Sequence, residues 1–88
     1  MGIQKVAILA IIAERKKQDE KWGEQNHDMA TWLEILGEEY GEICKADLEF
    51  RFGSKSRDRI LEEIIQTTAV GLAMIESWIR NNKKVGDR

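Results

Sequence analysis

Apolar residues recur every three or four positions along most of this chain, which is the spacing of one face of an α-helix. The pattern falls into three segments, at about 3–21, 31–50 and 57–80, with polar, glycine-containing stretches between them. No segment alternates apolar and polar residues as a half-buried strand does. The sequence therefore predicts an all-α fold with about three helices.

Local signals mark the ends of the predicted helices. Thr31-x-x-Glu34 has the form of a capping box, which predicts the start of the second helix. Ser54 or Ser56 is the predicted N-cap of the third helix. Residues 82–88 are polar and predicted to fray, so that the 88 residues form one small domain with a loose tail.

The apolar faces are wider than three helices can cover. The run from Val6 to Ala13 is interpreted as the buried face of the first helix. From Ala69 to Ile75 the third helix is apolar or small on nearly every side, which is typical of a helix surrounded by others. We therefore expect an antiparallel helical bundle that is completed by oligomerisation, as a homodimer or homotetramer. The stripes predicted to be buried on the second and third helices comprise Trp32, Leu33, Leu36, Tyr40 and Ile43, and Ile60, Leu61, Ile64, Thr68, Leu72, Ile75, Trp78 and Ile79.

Composition narrows the classes of partner. The net charge is −2 with acids and bases interleaved, so no broad basic face for duplex nucleic acid is expected. The apolar run in the first helix is too short to span a bilayer, and we expect no membrane partner. Cys44 is the single cysteine and His27 the single histidine, which excludes a disulfide within the chain and a Cys/His zinc cluster. A lone thiol fits a reducing compartment, and the predicted location is the cytoplasm.

Two pairs of oxygen-bearing side chains at helical spacing are the main candidates for chemistry. They are Glu39-x-x-Glu42 in the second helix and Glu63-x-x-Gln66 in the third. Residues three apart on a helix point to the same side, and carboxylate and amide oxygens are the ligands that Mg²⁺ and Mn²⁺ prefer. If the two helices pack antiparallel, the pairs can meet across one groove, where a divalent cation would offset the repulsion between the carboxylates.

Two glycines, Gly37 and Gly41, interrupt the second helix beside these acids. Each destabilises a helix by about 1 kcal/mol relative to alanine. Close approach of a ligand or tight packing of a neighbouring helix would explain them.

The spacing Glu38-Glu39-x-x-Glu42, followed by Glu63-x-x-Gln66, resembles the EExxE…ExxD signature of the MazG-like all-α nucleoside triphosphate pyrophosphohydrolases. The segment ERKKQDEKWGEQNHD is similar to the N-terminal part of a small subgroup of this family found in bacteria and phages. The resemblance spans roughly residues 14–79. Gln66 departs from it, because the family has Asp at that position.

The resemblance implies an oligomeric, Mg²⁺-dependent enzyme, with Mn²⁺ as an alternative ion, that cleaves a nucleoside triphosphate to the monophosphate and pyrophosphate. It implies that Glu39, Glu42 and Glu63 are metal ligands and that Glu38 orients or deprotonates the attacking water. Gln66 either ligates the metal through its carbonyl oxygen or is a buried glutamine satisfied by nearby backbone. An alternative reading is a helical interaction or regulatory module that keeps the fold with weak or no catalysis, and a third is nucleotide binding without metal or turnover.

Several further residues are candidates for substrate binding. Trp22 could stack on a base, while Lys21 and His27 could contact phosphate. The alternative is that Trp22 anchors a helix end and His27 is an ordinary loop residue. Lys45 and Arg59 lie one turn from Glu42 and Glu63, where they could bind phosphate or form solvated ion pairs with those glutamates.

Overall fold

A computed structural model describes residues 2–82 of the protein, which form three α-helices. They are α1 (Ile3–Trp22), α2 (Met29–Phe52) and α3 (Asp58–Asn81). The described residues contain no strand, so the all-α prediction is confirmed. Among them, no helix has both the length and the apolar character needed to cross a bilayer. Most of the predicted tail, residues 83–88, lies outside the described part of the chain.

The second helix begins earlier than predicted. Asp28, in an extended conformation, is the N-cap of α2, and its Oδ1 accepts a hydrogen bond from the backbone N–H of Thr31 at 2.9 Å. The predicted Thr31 cap is therefore wrong, because Asp28 already satisfies a free N–H of the first turn and the helix starts at Met29. Before α3, the Ser56 hydroxyl accepts from the N–H of Asp58 at 3.1 Å, although Arg57 occupies the cap position.

Helices α2 and α3 pack antiparallel, as predicted. Trp32, near the start of α2, packs against Val70 and Ala73 of α3. Further along α2, the carbonyl of Glu39 lies 3.2 Å from the hydroxyl of Thr67, which is earlier in α3. Helix α1 packs only on α3, since within the described residues it makes no close backbone approach to α2. A space therefore remains between α1 and α2 above α3.

The face that α3 buries is different from the one predicted. Its buried residues are the small ones Ala69, Val70, Ala73 and Ser77. Most of the bulky stripe points outward, with Ile75 58% and Trp78 60% exposed. Small side chains allow neighbouring helices to approach α3 closely, so they form the contact within the chain and leave the large side chains on the other side.

The apolar run of α1 is also not a buried face in the single chain. Val6, Ile8, Leu9 and Ile12 are each about half exposed, and the only buried residue of α1 is Gln18. Ile8, Ile12, Leu36, Leu72 and Ile75 line an apolar groove of about 610 Å³. The radius of gyration is 15.0 Å, compared with about 12 Å for a compact domain of this length. One chain by itself thus leaves much of its apolar surface uncovered.

Candidate functional site

A cavity of about 380 Å³ occupies the space between α1 and α2, with α3 as its floor. All three helices and the connector after α1 contribute to its walls. Its lining residues are Glu14, Lys17, Gln18, Lys21, Trp22 and Gln25, then Trp32, Ile35, Glu38 and Glu39, and finally Gln66, Val70 and Ala73. Carboxylates, lysines and indoles therefore share one cleft.

Glu39 is half-buried in the wall of this cavity. Burial raises its pKa, and the field of nearby carboxylates raises it further, in descending order those of Glu63, Glu42, Glu38 and Glu14. Both causes disfavour the charged carboxylate. Carboxylates of all three helices thus act on Glu39, and a cation would relieve this repulsion.

Thr67 ties the two acidic helices together at this point. Its hydroxyl donates to the carbonyl of Glu63 at 2.7 Å and lies 3.2 Å from the carbonyl of Glu39. The Glu63 side chain is only 12% exposed, and its Oε1 is 4.0 Å from Nη2 of Arg59. The backbones of Glu39 and Glu63 therefore lie at the same α2–α3 contact, but Glu63, unlike Glu39, does not line the cavity.

Glu42 and Gln66, the second members of the two predicted pairs, lie in different places relative to the cavity. Glu42 is exposed and does not line the cavity, although its charge is felt by Glu39. Gln66 does line the cavity and is half-buried. Its backbone carbonyl accepts a hydrogen bond from the side chain of Gln18 in α1 at 3.4 Å.

Helix α1 brings an acid to the cavity that sequence reasoning missed. Glu14 is half-buried there, and its Oε2 lies 3.5 Å from Nε2 of Gln18, the same amide nitrogen that reaches Gln66. The second half of α1 is charged and has no apolar periodicity, so the sequence did not indicate which way Glu14 points. The one signal was that Glu14 and Gln18 are four residues apart and so share a helix face.

Lysines and aromatic residues form the other part of the cavity. Lys17 and Lys21 are one turn apart on α1 and both line it, although Lys17 was not singled out from the sequence. The ammonium of Lys21 lies 4.6 Å from the centre of the Trp22 ring, which is a cation–π contact. Trp22 is more than half exposed, whereas Trp32 is buried in the wall. An exposed indole beside two lysines can meet an aromatic, anionic ligand.

The connector between α1 and α2 is fixed to the end of α3. The side-chain oxygen of Asn26 accepts hydrogen bonds from Arg80 at 3.1 Å and Asn81 at 3.0 Å, and lies 3.4 Å from the hydroxyl of Ser77. Arg80 also donates to the carbonyl of Gln25. These bonds fix the part of the cavity wall that the connector after Trp22 forms.

The remaining predicted substrate residues lie outside this cavity. His27 packs edge-on against Trp32, with ring centres 4.8 Å apart, and faces a neighbouring pocket of about 200 Å³. Its Nε2 is buried and, among the described residues, has no hydrogen-bond partner. Lys45 is exposed away from the cavity, and Arg59 is placed to pair with Glu63.

The two glycines of α2 are not explained by packing within the chain. A Cβ atom added at Gly37 or Gly41 would meet nothing within 4 Å. Of the two explanations given by the sequence, tight contact with another helix of the same chain is therefore wrong.

The donor chemistry of the cavity suits a divalent cation. Carboxylate oxygens from α1 and α2 line it together with Gln66 of α3, and oxygens of this kind are the hard ligands that Mg²⁺ and Mn²⁺ prefer. Burial and the field of the neighbouring carboxylates raise the pKa of Glu39. Over residues 2–82, no three acidic, histidine or cysteine side chains are already close enough to hold an ion together. Ion binding would thus need the glutamate side chains to move inward by rotation.

Searches of protein-family models, of curated proteins and of solved structures find no match for this chain.

Proposed function

We propose that the protein is an Mg²⁺-dependent nucleoside triphosphate pyrophosphohydrolase, producing a nucleoside monophosphate and pyrophosphate. The observation that carries this proposal is the single cavity in which acids, lysines and indoles lie together. A nucleoside triphosphate needs all three, because its phosphates bind a metal and cations and its base stacks on aromatic rings. The resemblance of the EExxE…ExxQ spacing to the MazG-like family supports the same reaction.

Each group has a distinct role in this proposal. Glu39 and Gln66 line the cavity, and Glu42 and Glu63, which do not line it, would turn their side chains toward Glu39 to hold the ion with it. Gln66 would add a neutral oxygen. Bound Mg²⁺ would neutralise phosphate charge and lower the pKa of a coordinated water. Glu38, beside Glu39 in the cavity wall, orients or deprotonates the attacking water.

The substrate is held by groups on α1. Lys17 and Lys21 contact the phosphates, and Trp22 stacks on the base. Mg²⁺ and the two lysines would neutralise the charge of the phosphates, and Mg²⁺ would also neutralise that of the acids. The acids and the anionic substrate can therefore share one cleft. His27, Lys45 and Arg59 do not line the cavity, and their contact with substrate stays a prediction.

The enzyme is proposed to work as a homo-oligomer. Half-exposed apolar side chains on α1 and α3 and the 610 Å³ groove between them support this, because soluble monomers rarely expose large contiguous apolar patches. Burial of this surface by a second chain would supply the larger core that a domain of this size otherwise lacks.

A direct assay tests the proposed reaction. Purified protein is incubated with each NTP and dNTP plus Mg²⁺, and pyrophosphate and monophosphate are measured. Pyrophosphate release should be lost in Glu39→Ala and Glu63→Ala and retained in Glu62→Ala, because Glu62 is an exposed neighbour of Glu63 whereas the Glu63 side chain is only 12% exposed. Absence of turnover with every nucleotide, in a protein that is folded by circular dichroism, would contradict the enzyme.

A second candidate is a helical interaction or regulatory module with weak or no catalysis. The exposed apolar faces support this candidate as well, since they could bind another protein as readily as a second copy of the chain. Nucleotide binding without metal is a third. Titration with a nucleotide in the presence and absence of Mg²⁺ distinguishes them: the module binds neither ion nor nucleotide tightly, and the third binds nucleotide equally in both conditions.

A further inference from the structure

One guanidinium at the end of α3 contacts three consecutive residues of the connector between α1 and α2. Arg80 donates from Nη2 to the backbone carbonyl of Gln25 at 3.0 Å and from Nε to the side-chain oxygen of Asn26 at 3.1 Å. Its Nε also lies 3.5 Å from Oε1 of Glu24. The other oxygen of Glu24 accepts from the side-chain amide of Asn26 at 2.9 Å. Arg80 therefore binds both the backbone and the side chains of the connector.

A neighbouring residue of α3 holds the connector at the same point. Nδ2 of Asn81 donates to the side-chain oxygen of Asn26 at 3.0 Å and to the carbonyl of Ser77 at 2.8 Å. Ser77 is only 2% exposed, and its hydroxyl lies 3.4 Å from the same oxygen of Asn26. The contacts from α3 to the connector join residues 51 to 55 positions apart. Tertiary packing and not a local turn thus fixes the connector.

The connector forms the end of the cavity that holds the proposed substrate groups. Lys21 and Trp22 are the last two residues of α1, and Gln25 follows them in the connector; all three line the cavity. Over residues 2–82, α1 makes no close backbone approach to α2, so no direct contact between these two helices sets the width of the cavity. The position of Trp22 across from α2 therefore depends on the packing of α1 on α3 and on the connector.

We infer that Arg80 is a positioning residue for the nucleotide, because its bonds to the connector keep Trp22 and Gln25 at the cavity. The inference rests on the nucleotide-binding cavity of the proposed function. Arg80 does not line the cavity, so it acts on the nucleotide through the connector. The groups proposed for the chemistry, Glu38 and Glu39, belong to α2 and have no bond to Arg80. Loss of Arg80 should therefore weaken nucleotide binding and spare the chemical step.

The test is the steady-state kinetics of pyrophosphate release with Mg²⁺ and the nucleotide that the unmodified protein hydrolyses fastest. Arg80→Ala should raise KM about tenfold and leave kcat within about twofold, the pattern of a loss of binding that is equal in the ground state and the transition state. A merely structural role gives the opposite pattern. Partial unfolding reduces the amount of active enzyme, which lowers the apparent kcat at an unchanged KM, and that result would overturn the inference.

Three further variants make the test specific. Arg51→Ala is the matched control, since Arg51 is an exposed arginine in the last turn of α2 that pairs with Asp47, and both constants should stay unchanged. Asn26→Ala removes the acceptor of Arg80 from the connector, outside every helix, and should raise KM as Arg80→Ala does even if the latter weakens α3. Arg80→Lys keeps the charge but lacks the forked donor and should resemble Arg80→Ala.

The outcomes separate this inference from the proposed function. An unchanged KM in Arg80→Ala and Asn26→Ala, with turnover intact, would overturn the role of Arg80 and leave the proposed function in place. The KM of the unmodified protein in Arg80→Lys would also overturn it, because attraction between a positive charge and the phosphates would then explain the effect. Absence of turnover by the unmodified protein would overturn the proposed function and this inference with it.

Discussion

Glu39 is the residue at which the electrostatics of the cavity converge, since burial and the carboxylates of three helices all raise its pKa. A raised pKa means that the folded protein binds this proton more tightly than the unfolded chain does. The contribution of Glu39 to stability is therefore most favourable at low pH and is lost as pH rises from the ordinary glutamate value of 4.5 through the raised pKa.

The stability of the metal-free protein should show this loss. We expect the free energy of unfolding of Glu39→Gln to fall less steeply than that of the unmodified protein from about pH 4 upward, because a glutamine carries no titrating charge. At neutral pH the substitution should stabilise the metal-free protein by about 0.2–0.5 kcal/mol for each like-charged pair it removes. Urea unfolding at a series of pH values in EDTA measures both effects.

Glu34→Gln is the control for this pH series, because Glu34 is an exposed acid of the same helix that does not line the cavity. Its stability profile should follow that of the unmodified protein. Equal profiles for Glu39→Gln and Glu34→Gln would mean that repulsion in the cavity has no measurable effect on folding.

At the scale of whole elements, one ion-pair network fixes α1 on α3. Arg15, with a side chain only 11% exposed, donates from Nε and Nη2 to Glu76 of α3 at 3.0 and 2.7 Å, and from Nη2 to Asp19 of its own helix at 2.8 Å. The desolvation of the guanidinium opposes its charge, but the bonds to Glu76 and Asp19 outweigh this and raise the pKa of Arg15. The bond to Glu76 is the part of this network that joins two helices.

Substituting Glu76 and Asp19 one at a time separates their contributions to the free energy of unfolding. We expect Glu76→Gln to lower the free energy of unfolding by about 1–2 kcal/mol, reduced from the range for charged hydrogen bonds because Glu76 is partly exposed. Asp19→Asn should cost no more than about 0.5 kcal/mol, since it removes an exposed i, i+4 pair. Chemical denaturation measures both values, and an equal cost for the two would show that α1 does not depend on this contact for its position.

The whole molecule has more apolar surface than one chain can bury. Ile75 and Leu72 of α3 and Ile8 and Ile12 of α1 line one groove, and Ile75 is more than half exposed. If a second chain covers this groove, the unmodified protein should have the mass of an oligomer at micromolar concentration. Ile75→Glu should shift it to the mass of a single chain, because a charge would be buried at the contact without a partner.

Light scattering coupled to gel filtration measures these masses. Ile3→Glu is the matched control, since Ile3 is also exposed but lies at the first residue of α1, outside the lining of the groove. Its mass should be that of the unmodified protein. A single-chain mass for the unmodified protein would contradict the proposed oligomer.

The sequence by itself determined the number of helices, the approximate position of each and the presence of acids at helical spacing. Local rules govern these features: a 3.6-residue period defines a helix, and glycine and capping residues end it. The antiparallel pairing of α2 and α3 followed from the short turn between them. It brings the backbones of Glu39 and Glu63 to one contact, at the hydroxyl of Thr67.

Only the tertiary structure decided which faces meet. Periodicity marks an apolar face but does not say whether the chain itself or another molecule covers it, and α3 uses its small residues Ala69 and Ala73 for contacts within the chain while Ile75 and Trp78 remain exposed. The helix against which α1 packs could not be predicted either, because the charged half of α1 has no apolar face from which to infer a neighbour. Packing of α1 across α3 brings Glu14 and Lys17 to the cavity, which is why these residues could not be found from spacing in the sequence.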